Sequence, residues 1–173
     1  FVKLDKNLKI KYKLKKIDKK VINELKQFDL IKNRSFIEYP KMGLEELALI
    51  SKIIKKNGGG IMLVDYGFLK QKNVNTLQSV KDNKKNDLFK HIGNADITSL
   101  VDFNILKKYF KKKKLFVNSV VTQSFFLKKM GVVERSNILS QNMSFKEKSD
   151  LYLRLERLLG HNYMGKLFKV IFA

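Results

Sequence analysis

Ten residues, GGGIMLVDYG from Gly58 to Gly67, constrain this chain more than any others. Ile61, Met62, Leu63 and Val64 form an apolar run with no polar alternation, the pattern of a strand covered on both faces, as in parallel sheets flanked by helices. Just upstream, Leu44, Leu47, Ile50, Ile53 and Ile54 recur three and four apart between Gly43 and Asn57. This spacing predicts an amphipathic helix stopped by Gly58 to Gly60. Ligands of open α/β sheets bind beyond the carboxyl ends of the strands, which puts Asp65, Tyr66 and Gly67 on the functional rim. A carboxylate there can orient a cationic or hydroxyl group, and Gly67 lets the backbone turn sharply. The plainer account is that Asp65 satisfies loop amides and Tyr66 packs at the rim.

The rest of the chain is read around that core. Val2, Leu4, Leu8, Ile10, Tyr12 and Leu14 alternate with polar residues, and Asp5, Lys6 and Asn7 supply a turn, so residues 1–17 predict a β-hairpin. A Lys-rich connector leads to an extended piece, Phe36, Ile37 and Tyr39, ended by Pro40. Phe68 to Ala95 is polar, rich in Lys and Asn, and reads as a long loop with short turns. A helix is expected from Asp102 through Phe103, Leu106, Tyr109 and Phe110 to Lys111–Lys114, where cations suit the helix dipole. Leu115, Phe116, Val117, Val120 and Val121 predict a strand. Thr122 can cap a short helix ending at Met130 and Gly131, and another helix covers Val132 to Leu139. Ser144 and Glu147 form a capping-box signature before a helix carrying Leu151, Leu155, Leu158 and Leu159, with Gly160 at its end. Leu167 to Phe172 is the last strand. The order is that of an α/β sheet. With one fully buried strand such a sheet cannot cover itself, so further strands are expected upstream. The division expected is a hairpin arm and connector over 1–40 and a sheet domain over 41–173.

Charge narrows the function classes. Lys and Arg number 37 against 16 Asp and Glu, a formal net charge of +21, which by itself favours a phosphate or anionic-lipid partner. Only Arg34, Arg135, Arg154 and Arg157 are arginines, and specific readers of nucleic acid favour Arg forks. No specific nucleic-acid site is therefore expected, and a basic nucleic-acid-binding module and a non-catalytic assembly scaffold are the alternative readings. Without cysteine, disulfides and thiolate chemistry are excluded. His91 and His161 lack metal-ligand spacing, so no metal is expected. No apolar run approaches the roughly 20 residues that span a bilayer.

Five blocks carry a further pattern: GGGIMLVDYG, NTLQSV (Asn75–Val80), NADITSLVDF (Asn94–Phe103), TQSFFLKKMGVVER (Thr122–Arg135) and MGKLFKVI (Met164–Ile171). In this order, with no gap needed between Leu77 and Phe103, they resemble the C-terminal half of the MidA-type methyltransferases, over roughly residues 36–173. Matching positions are Asp65, Tyr66, Gly67, Thr76, Gln78, Gly93, Asp96, Thr98, Asp102, Gln123, Gly131, Arg135, Met164 and Gly165. The resemblance implies a class I methyltransferase (Rossmann-like) fold and S-adenosyl-L-methionine as donor. It also implies methylation of protein arginine in support of respiratory complex I assembly, in a bacterial cytoplasm or a mitochondrial matrix. The partner implied is a protein substrate, such as a complex I subunit, with Asp65, Tyr66, Asp96 and Thr98 lining the arginine side. A capping role at helix entry also accounts for Asp96, Thr98, Ser99 and Asp102. Gly131 reads as a helix C-cap, Arg135 as the partner of a carboxylate, and Gln123 as an amide aimed at the rim. The chain departs from the family at Leu100, commonly His, and at Asp82-Asn83 and Asp87-Leu88, commonly Gly-His and Asp-Pro. Asn83, Leu88 and Leu100 put retention of activity in question.

The donor site is expected elsewhere. Such folds hold the cofactor at a glycine-rich turn after a strand, whereas Gly58–Gly60 precedes one. Phe1 opens directly into alternating sequence, which reads as a cut, and the main cofactor motif is expected upstream of it. By this reading the sequence alone would bind S-adenosylmethionine poorly and be inactive.

Overall fold

A computed structural model describes residues 2–6, 10–32, 35–70 and 72–173. The chain divides into two compact units, Phe1–Glu38 with Asn73–Ser99, and Tyr39–Lys72 with Leu100–Ala173. The segment 73–99 joins the first unit: among the described residues its strands pair with one another, and Glu38 is bonded to Thr76.

In the first unit, β1 (Val2–Leu4) pairs antiparallel with β2 (Ile10–Tyr12), and Lys11 bridges Asp5 at 2.9 Å. Phe1, Asn7 and Leu8 of the expected hairpin lie outside the described residues. Leu14 is 96% exposed, so the apolar alternation outruns the strand. The expected connector contains a helix, α1 (Lys19–Gln27), capped by the Asp18 side chain, which accepts from the Lys20 amide at 2.8 Å. It forms because Leu25 and Phe28, three apart, share a buried side with Leu30. The loop expected over Phe68–Ala95 is also structured. β4 (Gln78–Lys81) pairs antiparallel with β5 (Lys84–Asn86) and with β6 (Asp96–Thr98), giving the order β5-β4-β6. Asp82 and Asn83 both adopt positive φ, 50° and 59°, the backbone of a two-residue hairpin turn. The family departure at this dipeptide therefore keeps residue types that tolerate the left-handed region.

The second unit holds α2 (Lys41–Asn57), β3 (Met62–Phe68), β7 (Val101–Asp102), α3 (Phe103–Lys112), β8 (Val121–Thr122), α4 (Gln123–Lys129), α5 (Val132–Ser140), α6 (Phe145–Leu159), α7 (Met164–Leu167) and β9 (Phe168–Phe172). Its sheet runs β7-β3-β9-β8, with β3 parallel to β7 and β9 antiparallel to β3 and β8. The core is the buried side of α3, with Phe103, Ile105, Leu106, Tyr109 and Phe110, together with Val170 and Ile171 of β9 and Leu44 of α2. Residues 115–120 are not a strand. Phe116 is 81% exposed, and one bond from the Asn118 amide to the Phe172 carbonyl leads into the two residues of β8. The extended piece before Pro40 pairs with no strand among the described residues.

The central strand is half covered, where the apolar run predicted cover on both faces. Met62 and Val64, two apart and hence on one face, are 50% and 42% exposed. Along one edge, Met62 to Tyr66 pair with β9. On the other edge only Gly67 and Phe68 have ladder partners among the described residues, Val101 and Asp102. The helix before it is similarly one-sided: Leu44 and Ser51 are buried, whereas Leu49, Ile50 and Ile53 are exposed.

Candidate functional site

Asp65 and Tyr66 stand inside β3 rather than in a loop beyond it, opposite Lys169 and Phe168 of β9. Their side chains point to opposite faces. The Asp65 Oδ1 accepts from the Tyr66 amide at 2.7 Å, and Oδ2 has no hydrogen-bond partner among the described residues. Tyr66 packs edge-on against Phe168, with ring centroids 5.6 Å apart. Gly67 serves close approach and not a turn. A Cβ on it would lie 2.2 Å from the Val101 carbonyl oxygen and 2.8 Å from the Phe103 ring.

Asp96 and Thr98 belong to the first unit, on β6, not at a helix entry. In register, Thr98 faces Gln78 and Asp96 faces Val80, so Gln78, Asp96 and Thr98 share one face of that sheet. The Thr98 hydroxyl is a buried oxygen without a hydrogen-bond partner among the described residues, an arrangement native structures rarely leave without a reason. Thr76 gives both its amide and its hydroxyl to the Glu38 carboxylate, at 2.9 and 2.5 Å. Nothing in the sequence pattern pointed to Glu38, because the pair spans 38 positions.

Other matching positions are structural. Asp102 caps α3, accepting from the Asn104 and Ile105 amides at 3.0 and 3.2 Å. Gln123 does not aim at the rim: it is buried and donates to the Leu158 carbonyl at 3.0 Å, tying α4 to α6. Gly131, at φ 79°, joins α4 to α5, and Gly165 lets α7 press against the Leu159 carbonyl. Arg135 is exposed, with no carboxylate in ion-pair range among the described residues.

A cleft of about 730 Å³ opens where β3 ends, lined by Gly67, Phe68 and residues of the 161–169 segment. Lys70, Lys72, Lys166 and Lys169 line it. Burial first, then the charges of Lys166 and Lys72, hold the Lys169 pKa below the usual lysine value. Its ammonium donates to the Lys166 and Leu167 carbonyls. Sequence reading passed over this cluster because its lysines sit in two segments about a hundred positions apart. Among the described residues no His, Cys, Asp or Glu cluster could hold a metal, and no helix is long and apolar enough to cross a membrane.

Residues 1–121 match the family model described as "Putative S-adenosyl-L-methionine-dependent methyltransferase". The chain belongs to this methyltransferase family. Relatives named protein arginine methyltransferase NDUFAF7, mitochondrial, share 29% identity over 116 residues in Danio rerio and 29% over 122 residues in Xenopus tropicalis. Each match covers 67% of this chain and 27% of that protein, so the chain spans about a quarter of the length of these relatives. Two crystal structures from Burkholderia thailandensis show the same fold at 18% identity. One is of an uncharacterised protein, with TM-score 0.79, 99% of this chain and 47% of that chain covered. The other was solved with S-adenosyl-homocysteine bound, with TM-score 0.76 and 99% and 45% covered.

The donor used by the methyltransferase family calls for a glycine turn leaving the carboxyl end of a strand. Among the described residues none answers. Gly58–Gly60 stands at the amino end of β3, with Gly60 against the Ala173 carbonyl, and the space a cradle would need at Gly67 is filled by Val101 and Phe103. The described residues do not fit the donor by that geometry, and what they offer is acceptors and cations at the carboxyl end of β3.

Proposed function

We propose that the protein transfers the methyl group of S-adenosylmethionine to an arginine side chain of a protein, with this chain supplying the substrate side and the donor held mainly by residues other than those described. The observation that carries the reading is Asp65: a carboxylate on the central strand of a methyltransferase-family chain, with one oxygen fixed by the Tyr66 amide and the other open. A carboxylate held by its own backbone is a rigid acceptor for guanidinium N–H groups. Two such bonds orient the planar group, so that one nitrogen keeps an approach free for the incoming methyl. Tyr66, braced by Phe168, gives that end of the strand an aromatic wall. Asp96, Thr98 and Gln78 form a separate polar set on one face of the β5-β4-β6 sheet. The names of the animal relatives support arginine as the acceptor and a mitochondrial setting. Assembly of respiratory complex I is the role that the sequence resemblance supports, and a complex I subunit is the substrate we propose.

The test is transfer of labelled methyl to arginine-containing peptides by the full gene product, with amino-acid analysis of the acceptor. Asp65→Asn should lower kcat/KM by about 100-fold, the scale of a lost positioning contact, while donor binding, read by calorimetry, stays unchanged. Label on lysine or on a small molecule, or full activity in Asp65→Asn, would sink the reading.

A further inference from the structure

The cleft beyond β3 gathers positive charge without any counter-charge. Lys70, Lys72, Lys166 and Lys169 line it together with His161 and Tyr163, and no carboxylate does so among the described residues. None of the four lysines has an ion-pair partner among the described residues. Asp65 stands across the ladder from Lys169 yet leaves that ammonium to the Lys166 and Leu167 carbonyls. The Lys72 ammonium sits over the Phe68 ring, 5.6 Å from its centroid. These four come from two distant segments, and Lys169 feels the charges of Lys166 and Lys72. A concave surface of one sign focuses its field and concentrates counter-ions, and a volume of about 730 Å³ is in the range of ligand sites.

This charge cannot serve the arginine itself, which it repels. From Asp65 to Phe68 an extended strand covers about 10 Å, at roughly 3.3 Å per residue, which is two or three residues of an extended peptide. We propose that the cleft binds the carboxylates of an acidic stretch lying two or three residues from the target arginine. The inference rests on the protein-substrate reading above. The four lysines supply non-directional attraction, and the Tyr163 hydroxyl adds a donor.

The experiment needs no turnover, so it can fail independently of the methylation reading. A fluorescent peptide of about ten residues, with Asp and Glu near one Arg, is titrated into the full gene product by anisotropy. Its amide counterpart, with Asn and Gln, and a single-stranded RNA of matched charge run alongside. The expected result is that the acidic peptide binds at least about tenfold tighter than the amide form. The double change Lys70→Ser and Lys72→Ser should remove most of that difference, because two of four convergent charges are lost. The pair Lys55→Ser and Lys56→Ser, which removes the same charge from the last turn of α2, should change it less than about twofold, as expected for charges outside the cleft that salt screens. Equal losses in the two double variants would show diffuse attraction and overturn the proposal. Tighter binding of the RNA, lost in Lys70→Ser/Lys72→Ser, would assign the cleft to nucleic acid and overturn it as well. Thermal melts of both variants separate loss of fold from loss of site.

Discussion

Tyr109 shows what a single polar atom does inside this chain. Its hydroxyl donates to the Leu44 carbonyl at 2.5 Å, joining α3 to the first turn of α2 across 65 positions. Burial holds its pKa above the usual tyrosine value, so it stays a donor through the neutral range. Tyr109→Phe keeps the ring and removes the bond between the two helices, and urea unfolding should show a loss of about 1 kcal/mol, the net worth of one hydrogen bond. No loss would mean the bond adds nothing to stability. At this scale the sequence was readable wherever partners are close in the chain. Asp102 and Thr122 announced their capping roles because the amides they accept from lie two or three residues on. Glu38 with Thr76, Gln123 with Leu158 and the four lysines of the cleft were not readable, since each depends on a fold that brings remote residues together.

Among the elements, α6 is the most locally determined. The Ser144 Oγ accepts from the Glu147 amide at 3.4 Å, and the Glu147 carboxylate accepts from the Ser144 amide at 2.8 Å. Ser144→Ala should cost about 1 kcal/mol, the usual worth of an N-cap, measured by denaturant titration. The same box titrates. Hydrogen bonds from Ser144 hold the Glu147 pKa below the ordinary glutamate value, so the unfolded chain takes up the proton first as pH falls. The capping contribution is fully present above the unfolded-state pKa and is lost as pH drops through the lower folded value. Amide shifts of residues 144–147 followed by NMR should report this, and Glu147→Gln should flatten the profile. A transition at the ordinary glutamate pKa would contradict the paired geometry. Elements without such local marks were misread for identifiable reasons. In α1 the lysines hid the Leu25 and Phe28 spacing. In β4 and β5 the residues are too polar to alternate, and the Asp82-Asn83 turn was the better signal. Residues 115–120 are apolar enough for a strand but pair only at Val121 and Thr122.

For the molecule as a whole, the half-covered strand at the centre of the second unit decides solution behaviour. Its apolar run identified it in the sequence, and the structure adds that on the edge away from β9 Met62 to Tyr66 have no ladder partner among the described residues, beside the exposed Met62 and Val64. A flat, apolar strand edge is a template for pairing with another chain. Lysine opposes this: at +21, two copies repel until salt screens them, over roughly 8 Å at physiological ionic strength. Sedimentation velocity on this 173-residue chain should therefore show monomer at low salt and self-association as salt rises, with Val64→Lys suppressing the larger species. Insensitivity to salt would remove the edge from the explanation. Beyond the four lysines of the cleft, the lysine excess then acquires a second office as colloidal insulation: it buys time for an adhesive ribbon to meet its proper neighbour before it meets its twin.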